Sequence, residues 1–251
     1  FLGGGASLQF CRVPMNLLDE KAHADYTDTG VWAAKAIKEA KRFGTVNVVS
    51  SSKADVYNHI PKDFQQTEGA TYLHVTSNNT IYGTQWKEFP KAATYLVADM
   101  SSDILSRKIN VSDFGLIYAG AQKNMSCAGV TLAIIRKDVL GKVERSIPTM
   151  LDYATHIPEH SMFNTPPVFP IYVMNRTLAW LKENGGVSAM ELLNNKKSGL
   201  LYEAIDNSKL FVGTAAKEDR STMNVPFIFN KETVAAEKAD ELQKEFLAFT
   251  K

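Results

Sequence analysis

Apolar residues along this 251-residue chain fall into two textures. Up to about Arg136 they form short continuous runs, with helical or turn-forming stretches between several of them. Val46–Val49, Thr71–Val75, Tyr95–Ala98, Leu116–Tyr118 and Val130–Ile135 read as strands. Runs without polar alternation suit strands covered on both faces, and their order with helices predicts a mostly parallel α/β sheet. Gly30–Gly44 reads as an amphipathic helix. Trp32, Ala36, Ile37, Ala40 and Phe43 share one stripe, Lys35, Lys38, Glu39 and Lys41 lie elsewhere, and Gly44 is placed to end it. Phe1-Leu2 running into Gly3-Gly4-Gly5-Ala6-Ser7 reads as a strand end, a glycine turn and a helix start.

The second texture begins irregularly. Residues 147–170 carry Pro148, Pro158, Pro166, Pro167 and Pro170. Pro170–Asn184 and Val187–Asn207 then read as long helices, separated by the helix stop Asn184-Gly185-Gly186. Met223–Phe229 reads as a strand and Thr233–Thr250 as a charged amphipathic helix. The expected organisation is a large domain over 1–145, a connecting segment over 146–170, and part of a small α+β carboxyl-terminal domain over 171–251. Phe1-Leu2 resembles the end of a strand that begins earlier, and nothing follows Thr233–Thr250 to pack on it. Both domains are therefore expected to be incomplete.

Composition narrows the classes. Apolar residues make up 45 % and charged residues 22 %, ordinary globular values. A net charge of +1 gives no electrostatic reason to expect nucleic acid or an anionic membrane. No apolar run has the length of a membrane span, and no cleavable signal peptide is visible. Two cysteines, Cys11 and Cys127, allow one disulfide by arithmetic, but a reducing compartment is the better fit, hence the cytoplasm.

Two strand ends carry chemistry. Tyr95–Ala98 stops at Asp99; Leu116–Tyr118 passes through Ala119-Gly120-Ala121-Gln122 to Lys123. Such a pair is what a pyridoxal phosphate enzyme needs, a lysine to hold the aldehyde and an aspartate to keep the pyridine nitrogen protonated. Lys123 would stand at the carboxyl edge of a parallel sheet, where burial would lower its pKa and make it nucleophilic. Each residue also has a plainer reading. Most lysines are solvated surface charges, and Asp99 followed by Ser101 and Ser102 could cap a turn. The glycine run could present N–H groups to a phosphate, or be only a turn. It fits neither a dinucleotide fingerprint nor a nucleotide P-loop. Trp32 could pack in the core or stack on a flat ring, and Thr80 could bond a cofactor. Asn164-Thr165-Pro166-Pro167 is a rigid polar turn. The histidines His23, His59, His74, His156 and His160 show no metal spacing, and Pro158 breaks any helix joining the last two, so no metal is assigned.

Taken jointly, these segments resemble the phosphoserine aminotransferases, class-V aminotransferases of pyridoxal phosphate fold type I. The likeness runs through Gly3–Phe10, Val13–Leu17, Gly30-Val31-Trp32, Thr76–Ile81, Ala98–Leu105, Gly120-Ala121-Gln122-Lys123-Asn124 and Phe163–Pro167. It implies a seven-stranded-type, mostly parallel sheet with helices on both faces. It also implies a reversible amino transfer between glutamate and 3-phosphohydroxypyruvate, giving 2-oxoglutarate and phosphoserine in serine biosynthesis. In many bacteria the family also serves pyridoxine synthesis. By the same resemblance Lys123 forms the internal aldimine and moves the proton, and Asp99 pairs with the pyridinium nitrogen. Trp32 stacks on the ring, Thr80 bonds the cofactor, and Gly5, Ala6 and Gln122 hold its phosphate. Asn164 and Thr165 reach the partner subunit's cofactor in a homodimer.

The chain also departs from the family. Met125-Ser126-Cys127 stands where Leu-Gly-Pro is usual, and no basic residue lies near Ala6. The G-H-R-x-x-G-G-x-R motif and an amino-terminal arginine segment, both for substrate, are not in the sequence. Three readings follow: an aminotransferase with further flanking sequence, a truncated paralogue that binds pyridoxal phosphate or dimerises without transaminating, and a cysteine desulfurase. Gln122, where desulfurases usually carry histidine, argues against the third.

Overall fold

The computed structural model describes residues 1–250. Its strands are β1 (Leu2–Gly3), β2 (His23–Asp28), β3 (Thr45–Ser51), β4 (Leu73–Thr76), β5 (Asn78–Asn79), β6 (Thr84–Gln85), β7 (Leu96–Asp99), β8 (Leu116–Gly120), β9 (Val130–Ile135), β10 (Phe211–Gly213) and β11 (Phe227–Phe229). Its α-helices are α1 (Ala6–Leu17), α2 (Val31–Ala40), α3 (Tyr153–His156), α4 (Val168–Glu183), α5 (Gly186–Asp206) and α6 (Ala236–Phe249).

Seven strands make one sheet in the order β1-β9-β8-β7-β4-β2-β3. Strands β3, β2, β4, β7 and β8 run parallel. Only β9 opposes them, antiparallel to both β8 and β1. Side chains of alternate strand positions feed two cores. Val97, Leu116 and Tyr118 join Ala24, Tyr26 and the inner faces of α1 and α2 on one side. Leu73, Val75, Leu96, Ala98, Ile117 and Ala119 join Trp86, Phe114 and Met174 of α4 on the other. The expected α/β sheet with both faces covered is therefore present, and β7 and β8 are buried throughout. Strand β9 is covered only over its first residues, with Ile134 38 % exposed.

Two local expectations need correction, one strand was not anticipated, and the cysteines are unpaired as expected. Strand β2 lies inside the sheet yet lacks an apolar run. Its Asp25 and Thr27 are fully buried. Asp25 Oδ2 accepts from the Thr67 backbone N–H at 2.7 Å, and Thr27 Oγ1 donates to the His74 carbonyl at 3.4 Å. Paired in this way, polar groups tolerate a dry interior. The strand placed over Met223–Phe229 covers only Phe227–Phe229. Before it, the Met223 and Asn224 N–H groups donate to Ser221 Oγ, and Pro226 has no N–H to give. Helix α2 ends at Ala40, before Gly44. Cys11 and Cys127 are both free thiols.

Strands β10 and β11 pair antiparallel beside α5, and Phe211 meets Phe227, Phe229 and Phe246 of α6 there. Leu192, Leu193, Leu200 and Leu201 of α5 stay exposed. Among the described residues no helix is long and apolar enough to cross a membrane.

Gly44 owes its place to crowding rather than to capping. A Cβ there would come within 2.6 Å of the Asp19 carbonyl oxygen and 2.8 Å of Leu18 Cγ. Backbone cannot yield as a flexible side chain can, so Gly44→Ala is expected to cost about 1–3 kcal/mol in urea unfolding. Unchanged stability would contradict this packing.

Candidate active site

Chain order reverses direction across the sheet between β2 and β4. From β2 the chain moves outward to β3; from β4 it moves the other way, to β7 and then β8. Such a point leaves a crevice beyond the carboxyl ends of the strands. Five of the strands that end at this edge each deliver a residue to one cleft there. Trp32 follows β2, Thr76 and Thr80 follow from β4, and Asp99 ends β7. Gln122 and Lys123 follow β8, and Gly5 and Ala6 follow β1. The cleft also takes in Ser7, Phe10, Asn78, Ser101 and Ser102.

Asp99 sits opposite Thr76 on one neighbour and Tyr118 on the other, and is only 5 % exposed. Its Oδ1 accepts from Ser101 N–H at 2.9 Å and Ser101 Oγ at 2.6 Å. The turn-capping bonds and a place in the cleft lining thus belong to the same side chain. The carboxylate lines the cleft, and Tyr118 faces it from β8. Burial pushes the Asp99 carboxyl above the ordinary range; the Ser101 bonds and the charge of Lys123 oppose it.

Lys123 Nζ donates to Thr80 Oγ1 at 3.1 Å and lies 6.0 Å from the centre of the Trp32 ring. The residue is exposed, not buried, so the expectation that burial activates this amine is not met in the chain alone. Trp32 packs against the core and lines the cleft. Its Nε1 is buried without a partner.

At the other end of the cleft, α1 starts at Gly5 with no side-chain cap and no acidic residue in its first turn. Uncapped first-turn N–H groups and the positive end of the helix favour an anion. Gly120 lets the other contributors close in. A Cβ there would lie 2.7 Å from Gln122 Oε1 and 3.4 Å from Ala6 N. The cleft therefore brings together anion donors, a buried carboxylate, an amine and an indole. A planar ring with an acidic group and a protonatable ring nitrogen matches that set.

Asn164 and Thr165 stand apart, exposed on the turn ahead of α4 and outside the cleft of their own chain. Sequence reasoning missed Ser7, Phe10, Thr76 and Asn78 as lining residues. Asn78 follows β4 directly and was quoted only as part of a motif. Its Nδ2 donates to Ser102 Oγ and to Asn224 Oδ1, each at 2.8 Å, tying the carboxyl-terminal part of the chain to the cleft floor.

Comparison with known proteins gives these residues a context. The family model for class-V aminotransferases matches residues 1–244. The phosphoserine aminotransferase of Parabacteroides distasonis is 57 % identical over 244 residues, covering 97 % of this chain and 68 % of that protein. A solved phosphoserine aminotransferase, studied for radiation damage of its Schiff base, superposes with a TM-score of 0.92 at 50 % identity. It covers 98 % of this chain and 68 % of its own. The phosphoserine aminotransferase of Trichomonas vaginalis, solved with pyridoxal phosphate bound, gives a TM-score of 0.87 at 38 % identity, covering 95 % and 69 %. The chain spans about two thirds of the length of the curated relatives it matches.

The raised Asp99 carboxyl makes a prediction about stability. The folded chain holds this proton to higher pH than the unfolded chain does, whose value is near 3.8. Stability without ligand must therefore fall as pH rises through that window. Asp99→Asn removes the effect. Its melting temperature should exceed the parent's at pH 7, by about 2–4 °C for each kcal/mol gained, with the gap closing toward pH 4. A variant that melts at or below the parent at neutral pH would contradict the desolvated carboxylate.

Proposed function

The chain belongs to the class-V aminotransferases and, within them, to the phosphoserine aminotransferases, and on that premise we propose that it carries the pyridoxal phosphate site for amino transfer between glutamate and 3-phosphohydroxypyruvate. The observation that supports this most is the single cleft holding the Lys123 amine, the Asp99 carboxylate and the uncapped start of α1. The cofactor, when bound, supplies an aldehyde that accepts the amino group and a ring that stores the electron pair released at the substrate carbon.

The residues divide the remaining work. Gly5 and Ala6 offer N–H groups to the phosphate, with Gln122 beside them. Asp99 would accept the ring N–H and, as an anion, keep the proton on the ring nitrogen. Trp32 covers a face of the ring and limits its tilt. Thr80 Oγ1 accepts a hydrogen bond from Lys123 Nζ that steers the amine over the cleft. Lys123 Nζ then serves as the group that removes and returns the substrate proton. Asn164 and Thr165, exposed and outside their own cleft, suit a role at the phosphate of the partner subunit's site in a homodimer.

A second reading is favoured by one observation: among the residues lining this cleft there is no arginine. A dicarboxylate or phosphorylated substrate calls for such a group. A polypeptide of these 251 residues would then bind the cofactor without turning it over. One measurement tests the cofactor site that both readings share, and a second separates them. Pyridoxal phosphate added to the chain should give a visible absorbance band that Lys123→Ala abolishes; a band that survives removes Lys123 from its role. Glutamate added to the loaded 251-residue polypeptide should leave the band largely unchanged. Its rapid conversion to the pyridoxamine absorbance would show that the residues present suffice for substrate.

A further inference from the structure

Behind Asp99, on the face of the sheet covered by α1 and α2, lies a buried polar group that the cofactor contacts do not use. Tyr118 is fully buried on β8, directly opposite Asp99. Its hydroxyl lies 3.0 Å from His74 Nε2 on β4. Strand β7 stands between β8 and β4, so the Tyr118 ring must cross it, over the face that carries Val97 and Asp99. His74 is 1 % exposed. It stacks on the Tyr26 ring at 4.7 Å and 17°, and burial drives its pKa down to about 3. It is therefore neutral and carries one ring proton.

The position of that proton follows from what surrounds it. His74 Nδ1 is buried with no partner. A hydrogen there would be a buried donor left unmade, which costs more than an unpaired acceptor. The proton therefore belongs on Nε2, where it is donated to the Tyr118 oxygen. Tyr118 then has its own hydrogen to give elsewhere. Burial first, and the Asp99 carboxylate after it, hold the Tyr118 hydroxyl well above the phenol range, so it keeps this hydrogen. Asp99 Oδ1 is already taken by Ser101.

We propose that Tyr118, with its oxygen held by His74 Nε2–H, is a positioning residue that donates to the Asp99 carboxylate and keeps it in its proton-accepting form. The proposal rests on the reading of Asp99 as the partner of a ring nitrogen. The groups facing Asp99 are then Ser101 on its own turn, Tyr118 from β8, Lys123 across the cleft and Asp103 behind it. Two donors and one cation hold the anion; Asp103 opposes it. Losing the Tyr118 hydrogen would favour the neutral acid, which can no longer keep a ring nitrogen protonated.

Carboxyl carbon NMR of Asp99 in the full chain, assigned by its loss in Asp99→Asn, tests this without cofactor. Tyr118→Phe keeps the ring and should raise the Asp99 titration midpoint by about one pH unit, the worth of one hydrogen bond to a charged group. His74→Leu should raise it too, and His74→Gln, which keeps an N–H donor near Nε2, should restore the parent value. An unchanged midpoint in Tyr118→Phe overturns the proposal, because a tyrosine that only fills space would behave so. Should that variant fail to fold, equal midpoints in His74→Leu and His74→Gln overturn it instead. In chain loaded with ¹⁵N-labelled pyridoxal phosphate, the ring nitrogen signal should move toward the unprotonated form in Tyr118→Phe. A chain that binds no pyridoxal phosphate counts against the proposed function, while the carboxyl titration still decides the role of Tyr118.

Discussion

A carboxylate held almost dry at the end of β7 is the constraint on which this molecule turns. Left alone, Asp99 is costly to keep ionised, and burial pushes it toward the neutral acid. Ser101 engages one oxygen through both its backbone and its hydroxyl. The carboxylate also lines the cleft. The site thus stores an unfavourable charge that a cation placed opposite would relieve. Such local instability is a common companion of function.

The parallel sheet is what lets the remaining groups meet that carboxylate. Parallel strands end on one edge, so residues distant in sequence arrive side by side. Phe1–Ala6, Trp32, Thr76–Thr80, Asp99 and Gly120–Lys123 come from five strand ends around one crevice. Reversal of strand order between β2 and β4 opens the space they share. Small residues then set the close approaches. Gly120 admits Gln122 and the start of α1, and Gly83 admits Pro226, whose Cδ a Cβ there would meet at 2.3 Å. That second contact, with Asn78 bonded to Asn224, fastens the carboxyl-terminal part to the floor of the site.

Much of this was legible in the sequence, for identifiable reasons. Continuous apolar runs marked β7 and β8 because both faces of those strands are buried. The residues after them, Asp99 and Lys123, stood out because charge seldom follows such a run. Strand β2 was illegible because polar Asp25 and Thr27 interrupt its buried apolar residues Ala24 and Tyr26, and pairing of Asp25 with Thr67 depends on a loop that sequence spacing does not place. Gly44 was read as a helix stop, when its cause is a carbonyl from Asp19 that only the fold brings near. Tyr118 looked like one more apolar strand residue. Its hydroxyl gains meaning only from His74, two strands away. The turn bearing Asn164 and Thr165 could be named from a motif, yet a single chain leaves it in solvent.

The claim that Lys123 and Asp99 bracket one ring is tested most directly by covalent trapping. The chain is treated with pyridoxal phosphate, reduced with borohydride and digested, and the labelled peptide is located by mass. Reduction fixes the aldehyde on whichever amine holds it. The account predicts one dominant label on Lys123, and loss of most of it when excess deoxypyridoxine phosphate competes for the cleft. Label scattered over the surface lysines, or concentrated on a lysine away from Asp99, would contradict it.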